Sequence, residues 1–193
     1  MMDSIRIRNG SVWRKETLLY EVDGPETLYR RFGITYPKFF KMDLLCKWAF
    51  LAAELLLENE AGTWKYQDLD KSNIAVCLST TDGCLDVDKR YLATISDIPS
   101  PALFVYTLPN IMLGEICIRH GFKGEQLCEV VEAFDPQGLS MWVKDLLVNR
   151  SMESCIFGYC NAIGDQQDVL LGWASKKDLP ELSAAQLQGL YNL

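Results

Sequence analysis

The stretch I-A-V-C-L-S-T-T-D-G, residues 74–83, decides the fold. Ile74, Ala75, Val76, Cys77 and Leu78 form an apolar run without polar alternation, the mark of a strand covered on both faces. Residues 79–83 then turn the chain. Before the run, Met42, Leu45, Cys46, Ala49, Phe50, Ala53, Leu56 and Leu57 recur at helical spacing, and Gly62 follows as a stop. That helix is apolar on a broad face, so it belongs between two layers. A strand buried on both sides and a helix buried on two sides belong to an α/β sandwich.

Working outward, a helix is expected over about 86–96, ended by Pro99-Ser100-Pro101. Another is expected over about 109–120, with Ile111, Met112, Ile116 and Cys117 along one side and Gly121 as its stop. A strand over 126–133 runs to a corner at Phe134. Asp135 is a natural N-cap and Pro136 suits the first helical position, so a helix follows to about 149. Its apolar face is Leu139, Trp142, Val143, Leu146 and Leu147. Strands over 154–159 and 169–174 are joined by a turn at Gly164-Asp165, and a last amphipathic helix starts at Ser183. At the other end Ile5-Arg6-Ile7-Arg8 alternates as a first strand, stopped by Asn9-Gly10. Residues 11–40, rich in Tyr and Phe, read as an irregular loop with a short helix near 25–31. The expectation is one α/β domain over 1–193. Its sheet would be mostly parallel and five-stranded, with one antiparallel edge strand and helices on both faces. In such sheets the site lies beyond the carboxyl ends of the strands, here the loops after Leu78 and Ala133.

Composition narrows the function classes. The 193 residues are 49% hydrophobic and 23% charged, ordinary for a globular chain with one sizeable core. A net charge of -7 without a basic face argues against nucleic acid as a partner. No run is long enough to span a bilayer, and the N-terminus lacks the apolar core of a signal peptide, so a cytoplasmic protein is expected. The seven cysteines are scattered and mostly sit in apolar segments, which fits reduced, buried thiols. Without a C-x-x-C and with one histidine, a Cys/His metal site is not expected. No cofactor is expected either.

Individual candidates are weak. His120 stands at a predicted helix C-terminus, where a partly charged imidazole is favoured as a cap. Asp82, Asp86 and Asp88 lack the ligand alternation of a calcium loop, and first-turn helix residues are the simpler reading for the last two. Glu129 and Glu132 fall on opposite faces of a strand, so they make no acid–base pair. Cys128 and Cys155 have no helix N-terminus or basic neighbour to activate them, and Cys84, in a loop, has no base nearby. No G-x-S-x-G is present. A helix N-terminus after a strand suits anion chemistry, yet Phe134 holds the corner.

Phe40-Lys41-Met42-Asp43, the helix after it and I-A-V-C-L-S-T-T-D-G resemble the opening of β-ketoacyl-acyl-carrier-protein synthases. P-S-P-A-L-F-V-Y-T-L-P-N-I-M-L-G-E-I-C-I-R-H-G-F-K-G, residues 99–124, is the strongest match, to the family segment that precedes the strand carrying the active-site cysteine. The resemblance covers most of the chain. It implies the thiolase-like fold, and specifically the N-terminal half of it. It also implies a lost reaction. Where the family ends its strand in T-A-C, this chain has Glu132-Ala133-Phe134, which puts Phe134, or one residue further Asp135, in the nucleophile's place. The family's catalytic histidines and lysine lie in its C-terminal half, and His120 matches neither histidine.

In that family the nucleophile strand pairs with its mate across a dimer two-fold. By that resemblance the interface here is Gln126, Leu127, Cys128, Glu129, Val130, Val131, Glu132 and Ala133. Phe134, with Pro109 and Asn110, would border an acyl tunnel. Some relatives, the chain-length factors, are inactive partners of an active synthase. The resemblance therefore implies a non-enzymatic accessory subunit of a catalytic ketosynthase in fatty-acid or polyene-type elongation, setting chain length. The alternative is a homodimeric module that binds an acyl chain or an acyl carrier protein by itself.

Overall fold

In the computed structural model, which describes residues 2–59 and 62–193, the chain opens with β1 (Ser4–Arg8), β2 (Ser11–Arg14) and β3 (Thr17–Glu21). Then come α1 (Pro25–Phe32), α2 (Leu44–Leu57), β4 (Ile74–Thr80), α3 (Leu85–Leu92), α4 (Pro101–Phe104) and α5 (Ile111–His120). The rest is β5 (Gln126–Val130), α6 (Pro136–Val148), β6 (Ser154–Ile163), β7 (Gln166–Ser175) and α7 (Ala184–Asn192). Short 3-10 turns lie at Pro37–Lys41, Lys71–Asn73 and Lys176–Glu181.

The apolar run behaves as its composition demands. All seven residues of β4 are buried, and the strand lies between β5 and β6, parallel to both. Its side chains alternate between two cores. Ile74, Val76 and Leu78 join Ile156 of β6 and Ile5 and Ile7 of β1 under α2 and α5. Ala75 and Cys77 join Cys155, Phe157 and Leu170 under α6 and α7. Helices therefore cover both faces, as expected. Helix α2 is buried along almost its whole length because it packs on β1, β6 and β7 and also against α1 and α5. Asp43 caps it, its Oδ1 accepting from the Cys46 N–H at 3.0 Å.

The sheet departs from the expected one. It has seven strands in the order β3-β2-β1-β7-β6-β4-β5. Only β5, β4 and β6 run parallel, and every other pairing is antiparallel. β7 is not an edge strand, since β1 is hydrogen-bonded to its far side. Residues 11–21 are not loop but two further strands. The reason is local: Asn9 and Gly10 both take positive φ, 49° and 81°, which closes a two-residue hairpin rather than ending a strand. Gly10 is required twice over, because a Cβ there would lie 2.4 Å from the Val22 carbonyl oxygen.

Other bounds shift for identifiable reasons. β5 stops at Val130 rather than at residue 133, because its partner β4 ends at Thr80. A single bond from the Val131 N–H to the Thr80 carbonyl (2.9 Å) follows, and residues 131–135 then run irregularly into α6. α3 stops at Leu92, short of residue 96 and well before Pro99-Ser100-Pro101, and Ser100 instead caps the short α4, with Pro101 at its first position. Among the described residues no helix is long and apolar enough to cross a membrane.

Candidate functional site

The elbow after β5 is closed by its own residues. Asp135 Oδ1 accepts from the N–H groups of Gln137 and Gly138, both at 3.0 Å, so the anion-binding end of α6 is filled by a side-chain carboxylate. Gly138 makes room for it, since a Cβ there would sit 2.5 Å from Asp135 Oδ2. Asp135 is thus a cap, as its position before Pro136 foretold.

Phe134 turns inward over the sheet. Its half-buried ring stacks on Tyr191 of α7, with centroids 4.1 Å apart and planes at 13°, and meets Tyr159 of β6 edge-on at 5.8 Å. The Arg6 and Arg8 guanidinium carbons lie over the Tyr191 ring, 4.7 and 4.9 Å from its centroid. The Tyr191 hydroxyl donates to Asp168 Oδ2 at 2.7 Å, and burial, with Asp168 adding to it, pushes that phenol up to about 12. Asp168 also pairs with Arg6 Nη2 at 2.5 Å, which offsets the charge of a guanidinium buried within β1. Beside this cluster, the loop after β4 is tied down by Asn161 of β6. Its Oδ1 accepts from the N–H groups of Thr81 (3.3 Å) and Asp82 (2.9 Å), and its Nδ2 donates to Asp82 Oδ2 at 2.6 Å. Thr81 Oγ1 and the Tyr159 hydroxyl are 2.7 Å apart. Both loops expected to carry the site are therefore present, and both spend their polar groups on the protein itself.

The remaining candidates disperse. His120 is not a helix cap. It is 3% exposed, with Nδ1 2.9 Å from the Tyr66 hydroxyl and Nε2 3.2 Å from Glu54 Oε1. Burial holds its imidazole below the ordinary 6.5, although Glu54 opposes the shift. Arg119 donates to both oxygens of Glu54, at 2.8 and 3.0 Å, and the end of α5 is capped instead by Lys71 Nζ, which donates to the His120 carbonyl at 2.8 Å. Cys84 is buried, and burial foremost pushes its thiol up to about 12. Half-buried Cys128 is pushed to about 11, mainly by burial. Both remain protonated and unreactive near neutrality. All seven cysteines are free.

Asp86 and Asp88 occupy the first turn of α3. Glu132 lies outside β5 altogether, so the opposite-face argument for it and Glu129 lapses. Pro109 packs near Gly83, and Asn110 stands exposed before α5 with no side-chain cap bond. Among the described residues no group of three or more His, Cys, Asp or Glu side chains is placed to hold a metal ion.

The sheet has two edges, and they differ. β3 carries a bulge opposite Val12 and Trp13, exposes Leu18 and Leu19, and ends at Glu21. β5 pairs in unbroken register with β4 along all five residues, and its other side meets no strand among the described residues. At the end of β5, Val130 is 64% exposed. The helices that flank β4 expose Ile118 and Met141, and residues 85–108 expose Leu92, Ile95, Ile98, Phe104, Val105 and Leu108.

No protein-family model and no curated protein matches the sequence. Solved structures do. The ishigamide ketosynthase/chain length factor superposes with a TM-score of 0.63 at 13% identity, over 92% of this chain and 62% of that one. A ketosynthase in complex with its chain length factor from Xenorhabdus doucetiae gives 0.52 at 11%, over 82% and 64%. A type II PKS acyl-carrier protein in complex with its ketosynthase bound to the hexaketide gives 0.60 at 10%, over 93% and 63%. These likenesses establish the fold: the chain folds like the chains of ketosynthase and chain length factor assemblies, as its motifs implied. It spans 62–64% of the length of those chains.

Proposed function

We propose that the chain is a catalytically inactive, ketosynthase-like accessory subunit. It would pair with an active β-ketoacyl synthase in fatty-acid or polyene-type acyl-chain elongation and help to set chain length. One observation carries the reading: residues 126–135 hold both an open sheet edge and an elbow without a nucleophile.

The chemistry supports the first half. Condensation needs an acylated thiolate and donors aimed at the developing enolate charge. Phe134 has no nucleophilic atom, and Asp135 consumes the N–H groups that would serve as donors. The edges support the second half. A bulge interrupts β3, whereas β5 is regular and ends in the exposed Val130, which is what a strand awaiting a partner presents. The neighbouring structures are ketosynthases with a chain length factor or a carrier protein, so a synthase partner is the reading that fits this edge. Phe134, Pro109 and Asn110 border that end of the sheet, where side-chain bulk would limit a partner's acyl chain.

Native mass spectrometry after co-expression with the ketosynthase encoded nearest to this gene tests the proposal. A one-to-one complex is expected. A homodimer that ignores the synthase would overturn it in favour of a stand-alone module for an acyl chain or acyl carrier protein.

A further inference from the structure

Phe134 is held by the last turn of the chain. Tyr191, in the last turn of α7, is fixed by more contacts than a helix terminus needs. Its hydroxyl reaches Asp168 at 2.7 Å, and its carbonyl accepts from Arg6 Nε at 3.1 Å and Arg8 Nη2 at 3.2 Å. One ring face lies parallel to Phe134 at 4.1 Å, which leaves the opposite face for the guanidinium groups of Arg6 and Arg8. Phe134 itself has no polar anchor. Apart from Tyr191, the only ring beside it among the described residues is Tyr159, edge-on at 5.8 Å. The Phe134 ring also rests against the second core, but its one stacked contact comes from a residue remote in sequence, whose own position is locked through β1 and β7.

We propose that Tyr191 is the positioning residue for Phe134, and that through Phe134 it sets the length of the acyl chain made by the partner synthase. This rests on the reading of Phe134 as a limit on that chain. Tyr191 touches no substrate in this account. It keeps the Phe134 ring in one rotamer, so the limit is a wall of fixed position. A loose phenyl ring would yield to a longer chain and spread the products.

The test co-expresses the nearest-encoded ketosynthase with Phe134→Ala, Tyr191→Leu, Tyr191→Phe and the Phe134→Ala/Tyr191→Leu double variant, and reads product chain length by mass spectrometry. Phe134→Ala and Tyr191→Leu should each shift products longer by at least one elongation step. The double variant should go no further than Phe134→Ala alone. Tyr191→Phe, which keeps the stacked ring and loses only the hydroxyl, should give the native distribution, a rescue that general destabilisation does not predict. Should Tyr191→Leu fail to fold, Tyr191→Met, unbranched and able to adapt to the space, takes its place with the same expectation. Native products from Tyr191→Leu beside shifted products from Phe134→Ala would overturn the role of Tyr191 and leave Phe134 as the limit. Native products from Phe134→Ala would overturn both.

Discussion

The rings of Phe134 and Tyr191 lie parallel to within 13° at 4.1 Å, which ties the corner after the edge strand to the end of the last helix. Such a pair is worth about 1 kcal/mol beyond the area it buries. Phe134→Ala should cost about 2 kcal/mol, less than a fully buried phenylalanine because this ring is half-exposed. In a double-mutant cycle with Tyr191→Ala, the coupling should come to about 1 kcal/mol of the summed losses. Urea unfolding of the four proteins measures it. A coupling near zero would mean that the stack holds neither residue.

Asp135 and Gly138 make a second pair, one that predicts a change of sign. Asp135→Ala removes the cap of α6 and should cost about 1 kcal/mol. Gly138→Ala would ordinarily stabilise a helix by about 1 kcal/mol. Here the new methyl group meets the capping carboxylate at 2.5 Å, so in the native background the gain should vanish or reverse. In the Asp135→Ala background the clash is gone, and the same substitution should stabilise. Thermal melts of the single and double variants read both signs.

Much of this architecture was legible in the chain, and the failures are instructive. The run from Ile74, the Asp135-Pro136 start and the Ser183 start each depend on a few adjacent residues, and each folds as its local chemistry dictates. The hairpin at Asn9-Gly10 was equally local, but a strong turn signal looks the same whether a strand ends or doubles back. The central place of β7 was also written in its apolar run, Val169-Leu170-Leu171, which an edge strand would not need. Arg6 held a subtler clue. In an alternating strand whose two faces are both covered, an arginine must find a buried acceptor and a counter-charge, and the Val169 carbonyl and Asp168 supply them. Nothing local announces Tyr191 as the partner of Phe134, because that contact depends on how α7 crosses the sheet.

The buried His120 gives the stability a pH dependence. Glu54 from α2, Tyr66, Arg119 beside it and Lys71 face it, and burial keeps its folded pKa below 6.5. As pH falls below 6.5 the unfolded chain takes up a proton that the folded chain resists. Stability from this group is therefore complete above that value and is lost on acidification. Glu54 adds a separate, more acidic window. Burial works to raise its pKa, but His120 and Arg119 hold it below 4.5, so its contribution disappears only as pH falls beneath that. The melting temperature should drop between about pH 7.5 and about pH 5.5, and His120→Gln should flatten that slope whatever it does to absolute stability. An unchanged slope would remove His120 from the account.

The two sheet edges offer the sharpest contrast for partner binding. Val130, at the end of β5, is 64% exposed, so Val130→Lys should change the stability of the isolated chain by no more than about 0.5 kcal/mol. A lysine on an edge strand is a standard block to strand pairing. If β5 receives the synthase, burying that charge should weaken the complex at least about tenfold, or about 1.4 kcal/mol. Leu19→Lys on β3 is the matched control, since Leu19 is also partly exposed and also on an edge strand, but that edge is already bulged. It should leave synthase affinity within about twofold of the native value, a difference of about 0.4 kcal/mol. Isothermal titration of each variant with the purified synthase decides between the edges. A loss caused by Leu19→Lys and not by Val130→Lys would put the partner on β3 and separate the partner surface from the elbow.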